Sequence, residues 1–88
     1  MYELEWAESA LSQLADEWLK ADSPLRDTVN AAVHEVEQRL MRRPDIVGES
    51  RDPGTRVLIL NPLTVTFHVN VRTKIVLISG VRVSRRRS

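Results

Sequence analysis

Four arginines, Arg82, Arg85, Arg86 and Arg87, fall within the last seven residues of this 88-residue chain. A guanidinium is always charged and offers a planar fork of donors that matches phosphate or carboxylate. The rest of the chain makes the cluster stand out. Residues 1–41 carry three basic and nine acidic side chains, a net of −6, and residues 42–88 carry ten basic and three acidic ones, a net of +7. The overall charge of +1 hides that division. A basic end on an acidic body attracts a polyanion or an acidic protein segment. The same arginines also read as a solvated, flexible tail over residues 85–88, and composition leaves both readings open.

Other chemistries are excluded or thinly supported. The chain has no cysteine, so disulfides and thiolate metal sites are ruled out. No metal-ligand spacing, glycine-rich phosphate loop or nucleophile elbow is present, and neither a metal nor a cofactor is expected. Of the two histidines, His34 sits between polar positions of a helical pattern and reads as a surface residue. The start, Met1-Tyr2-Glu3-Leu4-Glu5, is acidic and lacks the basic, then apolar, order of a secretory signal. No apolar run approaches membrane-spanning length, so the expectation is a cytoplasmic protein with no membrane partner. The length sets one domain over residues 1–88, with a modest stability reserve that a tight partner would supplement.

Hydrophobic periodicity supplies the elements that must position these groups. Tyr2, Leu4 and Trp6 alternate with Glu3 and Glu5, a short strand with one apolar face. Ala7, Ala10, Leu11, Leu14 and Trp18 then follow at helical spacing, which predicts a helix from about Ala7 to Lys20. Trp6 and Trp18 both read as core. Ser23 is expected to cap a second helix with Pro24 at its first position. Its stripe is Leu25, Val29, Ala32, Val33, Val36 and Leu40, and Pro44 ends it. The short link predicts an antiparallel helical hairpin.

Residues 44–54, with Pro44, Gly48, Pro53 and Gly54, read as a loop. Three strands are predicted beyond it: Arg56–Leu60, Thr64–Asn70 and Lys74 to about Val81, with Asn61-Pro62 and Val71-Arg72-Thr73 as turns. In the second, Val65, Phe67 and Val69 share one face, and Thr64, Thr66 and His68 the other. The third is nearly all apolar, which predicts a central strand covered on both faces, and Gly80 marks a bulge or a close backbone approach. The fold class is α+β, in the order β-α-α-β-β-β, with a helical hairpin on one face of a mainly antiparallel sheet.

This order, with several residues in place, resembles the RelE/ParE superfamily of toxins from bacterial type II toxin–antitoxin systems. The matching pieces are the first strand ending in Trp6, then Ala10-Leu11 and Leu14, then Leu40 before Pro44 and Gly48. Arg56 opens the meander. Thr64-Val65-Thr66-Phe67-His68-Val69 stands where the family has Arg-x-x-(Tyr/Phe)-x-Val, and Val76-Leu77-Ile78-Ser79-Gly80-Val81-Arg82 stands at its final strand and arginine. The resemblance spans nearly the whole chain.

The resemblance implies a toxin held by a cognate antitoxin. It also implies one of two targets. RelE-like members are messenger-RNA interferases that cut mRNA on the ribosome; ParE-like members act on DNA gyrase, and such modules serve plasmid stabilisation. A non-toxic interaction module of the same fold is the third reading. Cleavage by the RNA's own 2′-hydroxyl needs a base, cations at phosphorus and an acid for the leaving oxygen. Arg56 and Arg82 fit two basic positions of the family and are the candidate phosphate ligands of a catalytic set. Thr64 replaces a family arginine, and the C-terminal tyrosine or histidine is missing. Arginine is a poor acid or base near neutral pH, which leaves His68 as the titrating candidate. Arg85, Arg86 and Arg87 would hold RNA phosphates without sequence choice. Arg56 has a simpler use too, in pairing with Glu49 or Asp52.

Overall fold

In the computed structural model, which describes residues 1–52 and 54–84, two helices lie on one face of a five-stranded sheet. The elements run β1 (Glu3–Trp6), α1 (Glu8–Lys20), α2 (Ser23–Arg42), β2 (Glu49–Asp52), β3 (Thr55–Leu60), β4 (Leu63–Asn70) and β5 (Ile75–Val83). The strand order is β1-β5-β4-β3-β2. The β2 to β5 run is antiparallel throughout, and β1 pairs parallel with β5. The fold class and the packing of helices on one sheet face match the sequence expectation. The strand β2 does not. It occupies part of the stretch read as a loop, and all four of its side chains are exposed.

The core forms where the helical stripe of α2 meets the inward side chains of the sheet. Val29, Ala32, Val36 and Leu40 from α2 pack with Ala10 of α1 and with Leu58, Leu63, Val65, Phe67, Val76, Ile78 and Val81. Phe67, Leu40, Leu63 and Ile78 are fully buried, each contributing about 1.5–3 kcal/mol of hydrophobic stabilisation. Both tryptophans pack against this cluster without being fully buried. Trp6 donates its indole N–H to Glu37 Oε2 at 3.2 Å.

The capping residue of α2 is Asp22, one position before the expected Ser23; its Oδ1 accepts from Leu25 N at 3.0 Å. Ser and Asp offer the same kind of acceptor, and the carboxylate adds a favourable charge at the positive end of the helix. Arg26 then closes the preceding helix. Its guanidinium donates to the carbonyls of Trp18 and Leu19 at 2.9 and 3.2 Å and lies 4.3 Å over the Trp18 ring. Beyond this joint α1 packs chiefly along β5, and α2 spreads its contacts over β1, β3, β4 and β5.

Two features shape the sheet near the candidate residues. A bulge in β5 sets Gly80 opposite Thr66 and Ile78 opposite Phe67, with Ser79 as the extra residue, in keeping with the bulge expected at Gly80. Beside it, β1 covers the edge of β5 only along Ile75–Ile78. Past that point the Val81 N–H donates to Gln13 Oε1 of α1 at 3.0 Å. The expectation that β5 is covered on both faces is corrected. It is central within the sheet, but the face away from the helices is open, and Leu77 there is 36% exposed. Apolar residues on both parities of a strand look the same whether a second layer covers them or not.

Candidate functional site

The open face of the sheet holds His68 and Arg82, and it does not hold Arg56. Arg56 is the register partner of Phe67, whose side chain is in the core, so Arg56 projects toward the helix side. Its Nε donates to the Val47 carbonyl at 2.9 Å and its Nη2 to the Gly48 carbonyl at 3.0 Å. It pairs with neither Glu49 nor Asp52; Glu49 is matched instead with Arg51 at 3.6 Å. Arg56 therefore ties down the approach to β2. Gly48 makes that approach possible, with φ at +74° and no room for a Cβ, which would lie 2.3 Å from the Val57 carbonyl oxygen.

Arg82 is the register partner of Thr64 on the open side and is exposed. Among the described residues it makes no ion pair. It lines a polar cleft of about 450 Å³ between α1 and the end of β5, together with Gln13, Asp16, Glu17 and Lys20. The acidic helix thus runs directly beside the basic strand. Asp16 and Glu17 bring two carboxylates to a cleft that also holds the cations of Lys20 and Arg82.

His68 stands on the open face with Thr64 and Thr66, as its parity indicated. Its Nδ1 is 3.1 Å from the Thr55 hydroxyl across the strand pair. With Nδ1 as acceptor, the hydroxyl donates to it and Nε2–H points to solvent. The ring borders a cavity of about 640 Å³ at the β4–β5 turn, lined also by Asn70, Arg72, Ile75 and Leu77. Along β4, His68 lies four residues from Thr64, the partner of Arg82, a separation of roughly 13 Å at ~3.4 Å per residue. A general base works within about 3 Å of the proton it takes. The three candidate catalytic residues are therefore spread over two faces and two ends of the sheet. The remaining candidates, Arg85, Arg86 and Arg87, lie outside the described residues, as does the expected tail over 85–88.

Sequence reading missed the carbonyl clamp of Arg56 and the role of Gln13. A signal for the first was present, since an arginine eight residues after a glycine in a turn-rich segment is well placed to bind that turn's carbonyls. No local signal marks Gln13, whose partner is 68 residues away. Among the described residues no cluster suited to a metal ion occurs, and no helix is long and apolar enough to cross a membrane.

No family model and no curated protein matches the chain. Solved structures do. A chain of the RelBE2 toxin–antitoxin complex from Mycobacterium tuberculosis aligns over 93% of this chain and 96% of its own length, with 20% identity and a TM-score of 0.73. The isolated RelE toxin of E. coli aligns over 100% and 89%, with 21% identity and a TM-score of 0.62. A chain of the chromosomal ParDE toxin–antitoxin system from P. aeruginosa aligns over 97% and 98%, with 22% identity and a TM-score of 0.61. The fold of this chain is thus the one shared by RelE-type and ParE-type proteins. Likeness at this identity extends to architecture, and the sequence identities to the two types are alike, at 20–22%.

Proposed function

We propose that this chain is the toxin of a type II toxin–antitoxin module and that it acts by binding its target, in the ParE-like manner, with DNA gyrase as the target to test first. The observation that carries this choice is the placement of Arg56 and Arg82 on opposite sides of the sheet. An RNA-cleaving centre needs cations and an acid–base group converging on one phosphate. Here one arginine is spent on backbone carbonyls, the imidazole is far along the sheet from the other, and Thr64 stands where the family carries an arginine. A binding toxin needs none of that convergence. It needs an exposed surface, and the open face offers Ile59, Thr64, Thr66, His68, Leu77 and Arg82.

The proposed antitoxin is a neighbouring small protein whose partly disordered, acidic and apolar segment folds on contact with the arginine-bearing edge. Co-expression from the native operon tests this part: the two chains should co-purify at physiological salt, and recovery of this chain alone would reject it.

The target is tested by controlled expression of the wild type and Arg82→Ala, with translation and DNA supercoiling followed in parallel. Loss of supercoiling while translation continues is the expected result. Rapid translation arrest with mRNA cleavage, abolished in Arg82→Ala, would restore the ribosome-dependent endonuclease reading. A soluble wild-type chain that leaves growth unchanged would reject a toxin of either type.

A further inference from the structure

The open face ends, at the β4–β5 turn, in the cavity of about 640 Å³ that His68 borders, within the range of about 300–1,000 Å³ typical of small-ligand sites. Its floor is apolar. Ile75 and Leu77 line it from β5, where they alternate with the buried Val76 and Ile78. Val71, 59% exposed, adds apolar surface at the turn.

The rim is polar. The register sets His68 beside Leu77 and Asn70 beside Ile75. With Nδ1 taken up by the Thr55 hydroxyl, the His68 Nε2–H is left to donate. Arg72 supplies the charge. It is exposed and makes no ion pair among the described residues. The turn that carries it is fixed. Asn70 Oδ1 accepts from the Arg72 and Thr73 amides at 3.0 and 3.2 Å, and the Lys74 amide donates to the Asn70 carbonyl at 2.9 Å. The Lys74 ammonium is held elsewhere, 5.0 Å from the centroid of the Tyr2 ring, and Tyr2 packs against the core.

We infer that this cavity binds a small amphipathic carboxylate, with its apolar body on Ile75 and Leu77 and its carboxylate on the Arg72 guanidinium and the His68 Nε2–H. The planar fork of arginine matches a carboxylate. The strand on the other side of β5 sets the charge of the ligand. There β1 pairs Glu3 with Ile75 and Glu5 with Leu77. Two exposed carboxylates thus stand one strand spacing, about 4.8 Å, from the floor. One permanent cation at the rim balances one negative charge. A phosphate dianion or a polyanion would meet Glu3 and Glu5 with no second permanent cation among the lining residues. The inference does not depend on the toxin reading.

Amide and methyl NMR titration of the full chain tests it, with 3-phenylpropionate as the probe near neutral pH. A body of this size with one charge-assisted contact gives a Kd on the order of 1 mM. Saturating shifts are expected at the Ile75 and Leu77 methyls and the Arg72 amide. The neutral 3-phenylpropanamide is expected to bind about tenfold more weakly, and Arg72→Ala to weaken the acid about tenfold. Spectra of Arg72→Ala away from the turn check that the fold is kept, and Arg82→Ala is expected to bind as wild type does. Phenyl phosphate is expected to bind more weakly than the carboxylate and to gain affinity in Glu5→Gln. No saturating shift through about 20 mM probe, shifts centred on another surface, or equal affinity for acid and amide overturns the inference. So does an Arg72→Ala variant that binds as wild type does. Phenyl phosphate binding more tightly than the carboxylate overturns the choice of a singly charged ligand.

Discussion

Arg56 and Arg82 sit on opposite faces of one sheet, the first opposite Phe67 in the core layer and the second opposite Thr64 on the open layer. Two residues that a linear reading makes equivalent therefore have different physics. One is a cation satisfied by carbonyl oxygens, and the other is a cation offered outward. Their loss should have separable effects.

Arg56→Ala is expected to lower folding stability by about 1–3 kcal/mol, because it leaves the Val47 and Gly48 carbonyls without their charged donor. Arg82→Ala is expected to stay within about 0.5 kcal/mol of wild type, since it removes an exposed side chain with no ion pair among the described residues. Urea denaturation of both variants checks the contrast. Equal losses would count against the assigned roles.

The two glycines that flank β2 should differ as sharply. Gly48→Ala combines a positive φ with a Cβ pressed on the Val57 carbonyl, and a loss of about 2–4 kcal/mol is expected from strain plus displacement of β2. Gly54→Ala has φ at +85° but open space around the added carbon, so only the left-handed backbone cost of about 1–2 kcal/mol applies. Thermal melts of the pair give the comparison directly.

Glu37→Ala removes the acceptor for the Trp6 indole. The group is part-buried, and an expected cost of about 1–3 kcal/mol follows from leaving its N–H unpaired. In a ¹⁵N-correlated spectrum the Trp6 indole resonance should shift while the Trp18 indole stays put. A spectrum with both indole peaks unmoved would mean the bond is not formed in solution.

His68→Ala separates the two target mechanisms. If the imidazole transfers no proton, growth inhibition by the variant stays within about twofold of wild type. An acid–base role predicts a fall of about 10²–10⁴ in cleavage. The companion Thr55→Val, which removes the hydroxyl from Nδ1, should likewise leave inhibition intact.

Much of the architecture was legible because its periodicities are clean. The stripe Val29, Ala32, Val36 and Leu40 is the buried stripe of α2, and Val65 and Phe67 point inward from β4 as alternation requires. The strand β2 was not legible. Glu-Ser-Arg-Asp has no apolar residue, and the segment is held by its backbone ladder to β3, which leaves no trace in side-chain pattern. The side taken by Arg56 was ambiguous for a different reason. In Val57-Leu58-Ile59-Leu60 both parities are apolar, and only the structure shows that Leu58 is inside and Ile59 outside. Arg56 follows Leu58 inward, and with it went the expected shared pocket.

The Gln13 contact to Val81 has a consequence for solubility. A sheet border with vacant amide groups is a template on which further chains stack, and natural proteins blunt such borders. Where β1 stops short, one side-chain amide from a helix occupies the template. Without it, the Val81 N–H on this stretch of border would lose its side-chain acceptor, and the packing of α1 along β5 would be left to shield the border alone.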